Sequence, residues 1–237
     1  WRQLGVGEYI IPAVGEENWG RVMALAGRHD DIRYGLGIHP WYVGKQPRDA
    51  LTRLETLLAS RPRGLVAVGE CGLDLRSHVP QEGQVEMFEA QVRLAMAHEL
   101  PLIVHSVRAN DTVAKILRRF TPPQGGVIHA FSGSLRQAEV FWQLGFRLGI
   151  GGVISYERAN KTREAIRQMP LEALLLETDA PDMPLQGQQG EVNTPASLPT
   201  IARLLAQLRQ QPLEDVISVL HDSTRRLFPP GNHEINI

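Results

Sequence analysis

Five residues capable of acid–base or metal chemistry fall, one after another, at the ends of short apolar runs. His39 follows the run 34–38, Glu70 the run 65–68, His105 the run 102–104 and His129 the run 126–128, and Asp179 stands just beyond 174–176. A carboxylate at the end of a buried strand must be hydrogen-bonded, paired or metal-bound, because an uncompensated buried charge costs several kcal/mol. Taken singly, each residue has a plainer role. Glu70 could form a structural ion pair with an arginine, His105 could be a hydrogen-bonded core histidine, and His129 could cap its strand. His39, before Pro40, could serve a turn, and Asp179 could open one through its own backbone. Together they recur at equivalent positions of successive runs, and this favours a shared site. His105, His129, Glu70 and Asp179 make a nitrogen–oxygen donor set suited to Zn, Mn, Mg or a related divalent ion.

The elements that must position these groups follow one pattern, a short apolar run and then an amphipathic segment. The runs are 9–14, 34–38, 65–68, 102–104, 126–128, 146–150 and 174–176. Helical periodicity predicts helices over 16–28, 48–61, 81–98, 112–120, 135–144 and 161–168, with two more at 197–208 and 213–227. Strict alternation calls for a parallel sheet, because parallel strands need crossover connections. No Gly-x-Gly-x-x-Gly turn is present, and the glycines 149, 151 and 152 open no helix of that type, so an open nucleotide-binding sheet is disfavoured. The alternative is a (β/α)8 TIM barrel, in which the C-terminal ends of all strands share one face and build the active site. Seven runs are one short of eight. Residues 1–7 read as the last turn of a helix with its capping glycine, so the first strand is expected to lie before Trp1. A single barrel domain over 1–228 is expected, with a loose Pro-Pro-Gly tail over 229–237.

Composition narrows the partners. Lys and Arg number 25 against 26 acidic residues in 237, a net charge of -1, so any phosphate recognition must be local. His39, Arg108, Ser132 and Lys161 sit in strand-end loops and could donate to phosphate oxygens, although Arg108 and Lys161 could equally be solvated surface charges. Asp74 reads as an orienting or loop-capping group and Asn193 as a rim residue; His29, His78, His98, His221 and His233 are assigned no function. Aromatic residues make up 6% of the chain, too few for a broad stacking platform. Trp41 and Tyr42 could stack a terminal base, but ordinary loop packing is the preferred reading. The single cysteine, Cys71, fits a reducing compartment. No apolar run reaches the roughly 18 residues that span a bilayer, and no secretory leader is evident. A cytoplasmic location is expected, without a membrane or an obligate protein partner.

Four segments carry a family resemblance. Gly-Glu-Cys-Gly-Leu-Asp (69–74), Leu-Pro-Leu-Ile-Val-His-Ser (100–106), His-Ala-Phe-Ser-Gly (129–133) and Leu-Glu-Thr-Asp-Ala-Pro (176–181) resemble, in order, the signature segments of the TatD-related deoxyribonucleases. Residues 34–40 and 151–163 are similar to the YjjV-type branch. The resemblance implies a metal-dependent hydrolase barrel with two divalent ions, acting on DNA or another phosphodiester at a strand end. It further implies that Glu70 bridges both ions, that His105 and His129 bind one, and that Asp179 contacts the other or its water. Hydrolysis would then use a metal-activated water, with Asp179 orienting it or taking its proton. The family's first two ligands, a His-x-His pair on its first strand, have no counterpart in the sequence. An ester, lactone or amide is the rival substrate, since the same ions polarise C=O. Such barrels often bridge their metals with a carboxylated lysine where Glu70 stands, which argues against their closest relatives. A catalytically inactive binding protein is the alternative if the first ligands are truly missing.

Overall fold

Among the described residues seven strands form one parallel sheet: β1 (Tyr9–Pro12), β2 (Ile32–Leu36), β3 (Leu65–Asp74), β4 (Leu102–Val107), β5 (Gly126–Ile128), β6 (Phe146–Ile150) and β7 (Leu174–Leu176). They lie side by side in chain order, as successive right-handed crossovers dictate. The computed structural model describes residues 2–229; Trp1, residues 230–237 and with them His233 and all but the first residue of the expected tail lie outside the described residues. The crossovers are helical: α1 (Glu16–Arg28), α2 (Ala50–Ser60), α3 (Gln81–Ala97), α4 (Asn110–Phe120), α5 (Leu135–Gln143) and α6 (Asn160–Gln168). After β7 come α7 (Leu198–Arg209) and α8 (Leu213–Leu227).

The side-chain alternation of a strand sorts the core into two layers. One face of the sheet sends Leu36, Val68, Val104, Ile128, Leu148 and Leu174 against the helices, where Trp19, Leu54, Phe88, Leu117, Phe141 and Ile166 are buried. The other face curls on itself. Ala67, Ile103, Val127 and Leu175 form an inner cluster with Leu227 and Phe228 from the end of α8, and Ile10 of β1 packs against it. The architecture is thus a curled, incomplete TIM barrel, with β1 and β7 as the sheet's edges among the described residues.

One strand departs from its expected bounds in a way that matters. The run 65–68 continues as strand through Asp74, because the pairing with β4 breaks once and then resumes. Val68 pairs with Leu102 and Cys71 with Val104, so three steps on β3 oppose two on β4. That is a bulge of one residue. It reverses the alternation: Val68, Cys71 and Leu73 face the helices, and Glu70 and Asp74 turn to the inner face, where both meet His105. Glu70 therefore sits within a strand, at its bulge, rather than past a strand end.

Candidate active site

Three inner-face positions continue directly from the inner core. His105 lies two residues beyond Ile103, His129 two beyond Val127 and Glu177 two beyond Leu175, so the period that buries the core also delivers these side chains to the interior. Glu70 stands between the imidazoles. Its Oε1 is 2.8 Å from His105 Nδ1, 3.5 Å from His39 Nε2 and 3.9 Å from His129 Nε2. The opposite nitrogen of each inner histidine meets an acid of its own. His105 Nε2 is 3.2 Å from Asp74 Oδ2, and His129 Nδ1 is 3.0 Å from Glu177 Oε2. When those acids take the N–H, Nδ1 of His105 and Nε2 of His129 keep lone pairs facing Glu70, the arrangement by which carboxylates orient metal-binding imidazoles. Asp179 Oδ1 lies 3.1 Å from His129 Nε2 and completes the group.

His39 differs from its neighbours. Its ring packs edge-on against His105, centroids 4.3 Å apart, and its ligand atom with those of Glu70 and His105 lies within 4.8 Å, close enough to surround one cation. Yet its Nδ1 accepts the backbone N–H of Trp41 at 3.2 Å. A neutral ring so held carries its proton on Nε2, the nitrogen that faces the site, and acts there as a donor.

The surroundings fix these groups and set their charge. On α3, buried Gln91 exchanges two hydrogen bonds with the backbone of Ile38, next to His39, and buried Gln84 does the same for Asp74. Gly149 on β6 leaves room for the Glu177 carboxylate, since a Cβ there would lie 2.1 Å from Oε2. Burial alone would drive His39 toward neutrality, and it does, to a pKa of about 4 despite Glu70. Burial also opposes charge on His129, but Glu177, Glu70 and Asp179 outweigh it and hold the pKa well above the ordinary imidazole value. His105 is raised in the same way, burial being outweighed by Glu70 and Asp74. Glu70 itself is depressed to about 2, with His129, His105 and His39 overcoming burial. Four acids around three imidazoles make a pocket that demands positive charge, from protons or from a divalent cation that displaces them. The donor set fits such a cation.

Comparison with known proteins agrees with this chemistry. The family pattern described as "TatD related DNase" matches residues 1–229. The chain belongs to the TatD-related DNase family. It is 46% identical over 227 residues to the "Uncharacterized metal-dependent hydrolase YjjV" of Escherichia coli K12, covering 95% of this chain and 88% of that protein. The crystal structure described as "YJJV, TATD Homolog" from the same organism superposes with a TM-score of 0.93 at 45% identity, covering 95% of this chain and 88% of that one. The "3'-5' ssDNA/RNA exonuclease TatD" of Rahnella sp. is 29% identical over 235 residues, 96% of this chain and 89% of that protein. The chain is a metal-dependent hydrolase of the TatD family.

In this TatD-family chain the other residues singled out by sequence lie at strand ends, in the loops beyond them or in the first turn of a helix. Ser132 is exposed, its hydroxyl 3.4 Å from Thr162 Oγ1 in the first turn of α6, beside exposed Lys161. Arg108 is exposed between β4 and α4. Asn193 is buried and donates to the carbonyls of Thr178, Asp182 and Met183, which ties down the loop that carries Asp179. Asp74 both orients and caps: Oδ2 faces His105 and Oδ1 accepts the Arg76 N–H at 2.8 Å. Glu177, Gln84 and Gln91 were not singled out by sequence reasoning. Of these, only Glu177 left a signal, since it shares the alternation of Leu175 and Asp179.

Proposed function

We propose that this hydrolase cleaves phosphodiester bonds of DNA or a related nucleic acid from a strand end, with two divalent cations (Zn, Mg or Mn) held by Glu70, His105, His129 and Asp179. The observation that carries this is the position of Glu70: one carboxylate oxygen faces two imidazoles, each turned toward it by a separate acid. When bound, such ions lower the pKa of water and neutralise charge on the phosphate oxygens. Asp179, on the open side of the site with its side chain 32% exposed, orients the attacking water or takes its proton. His39 donates from Nε2 to a non-bridging phosphate oxygen. Arg108, Ser132 and Lys161 hold flanking phosphates from the loops after β4 and β5 and the start of α6. A near-neutral chain favours such a local grip over a long duplex footprint. The exonuclease name of the Rahnella relative supports action at a strand end. Among the described residues no helix is long and apolar enough to cross a membrane. The lone buried thiol of Cys71 fits the reducing cytoplasm.

The test is hydrolysis of a labelled single-stranded oligonucleotide by the purified chain with each cation, beside a panel of esters, lactones and amides. Cleavage of the oligonucleotide from one end, lost on chelation and falling by about 100-fold or more in Asp179→Asn with an unchanged circular-dichroism melt, is the expected result. Turnover confined to the carbonyl panel would replace the phosphodiester reading, and a fully active Asp179→Asn would remove Asp179 from the chemistry.

A further inference from the structure

At the mouth of the site stands an aromatic side chain that contributes little to the core. Trp41 is 51% exposed, the one aromatic among the exposed large hydrophobic side chains of the described residues. An indole left half in water forgoes much of the burial that usually accounts for tryptophan in a fold. It is nevertheless held firmly. Its Nε1–H donates to Asp74 Oδ2 at 2.7 Å, the oxygen that also faces His105, and its backbone N–H is bound by His39 Nδ1. Its ring meets that of His39 at 5.8 Å with an interplanar angle of 82°, an edge contact. The short 3-10 turn that carries it, Pro40–Lys45, is anchored by Pro40 at its first position and by the bond from Tyr42 N–H to the His39 carbonyl.

We infer that Trp41 is the platform on which the unpaired nucleobase next to the scissile phosphate stacks, and that it makes the enzyme selective for strand ends that carry a base. This rests on the phosphodiesterase reading above. The indole is hydrogen-bonded to the same carboxylate oxygen that faces His105, so a base stacked on it would lie beside the site, as a base lies beside the phosphate to which one sugar joins it. Stacking is tolerant of base identity because every base presents a π-face. The platform therefore confers a preference for a base over no base, with little preference among the four. Loop packing, the expectation from sequence, accounts for the covered half of the indole, its edge against His39 and its N–H on Asp74, and leaves the other half to a ligand.

The experiment compares two internally labelled single-stranded oligonucleotides, one intact and one with both terminal nucleosides abasic. Wild type, Trp41→Ala and Trp41→Phe are assayed on each, and binding is measured separately by fluorescence anisotropy in EDTA. Wild type is expected to prefer the intact end by about 10-fold in kcat/KM and in Kd, as a single aromatic–base stack provides. Trp41→Ala should lose that preference, and Trp41→Phe, which keeps a ring, should retain most of it. A Trp41→Ala enzyme that keeps the wild-type preference overturns the inference. So does a wild type that cleaves both oligonucleotides equally, or a Trp41→Phe that falls on both substrates as far as Trp41→Ala, which would assign Trp41 to holding Asp74 alone. A wild type that cleaves neither removes the phosphodiesterase reading and the platform with it.

Discussion

Glu177 divides its carboxylate between His129 Nδ1 at 3.0 Å and the backbone N–H of Ala130 at 2.7 Å. The second bond fixes which oxygen is left for the histidine, and the first fixes the histidine's tautomer. In Glu177→Gln the amide oxygen is expected to stay on Ala130, which turns an N–H toward Nδ1. The ring must then carry its own proton on Nε2, the nitrogen that faces Glu70 and Asp179, where a cation needs a lone pair. Metal affinity should fall by about 10- to 100-fold in a calorimetric titration while the circular-dichroism spectrum stays that of wild type. An unchanged Kd would show that His129 does not ligate through Nε2. Glu70, His105, His129 and Asp179 could be read from the sequence because each follows an apolar run and each is a residue type that burial makes conspicuous. Glu177 left a weaker signal: it stands directly after the run 174–176, but a reading that assigns one functional group to each strand end and chooses Asp179 passes over it.

At the level of elements, the site depends on irregularity and on polar packing. Without the bulge between Val68 and Cys71, alternation from Ala67 would turn Glu70 toward the helices, into apolar surroundings. The apolar run that marks β3 ends at Val68, and a bulge has no hydrophobic period of its own, so the sequence showed the strand's start and missed its last six residues. The glutamines of α3 were hidden for a related reason. Gln84 and Gln91 are seven positions apart on the helix face that also carries Phe88, yet by residue type they look like solvent-facing positions. Gln91 satisfies both the N–H and the C=O of Ile38, at 2.7 and 3.0 Å, inside the protein. Gln91→Leu fills nearly the same volume and leaves both groups unpaired, at a cost of about 3 kcal/mol. Urea denaturation should show that loss, and because Ile38 precedes His39, KM for the oligonucleotide should rise as well. A midpoint within error of wild type would mean that water replaces the amide.

Over the whole molecule, the seven-strand order and the shared face of the strand ends followed from the alternation of runs and helices, since few parallel topologies satisfy it. How β2 meets the residues that follow α8 did not, because no local pattern encodes a contact across 195 residues. Arg33 makes that contact. It points from β2 into the inner face, is only 6% exposed, and donates to the carbonyls of Phe228 and Pro229 at 2.9 and 2.8 Å while pairing with Glu8 at 2.6 Å. Leu227 and Phe228, which these bonds position, close the inner cluster against Ala67, Ile103, Val127 and Leu175 at the end of the barrel away from the active site. Arg33→Ala would leave two carbonyls and the Glu8 carboxylate without their donor and loosen that plug. Removing one partner of a buried ion pair costs about 3–5 kcal/mol, and Glu8, partly solvated, places the expected loss at the lower end. For a chain of this size that is a fall of about 9 °C in melting temperature. Arg33→Lys should recover part of it, since one ammonium can reach Glu8 or the carbonyls but cannot span both as the guanidinium fork does. Because the plug lies at the opposite end from Glu70 and the histidines, metal affinity at 25 °C should be unchanged in both variants. A variant that loses metal affinity without losing stability would show instead that the two ends of the barrel are coupled through the strands between them.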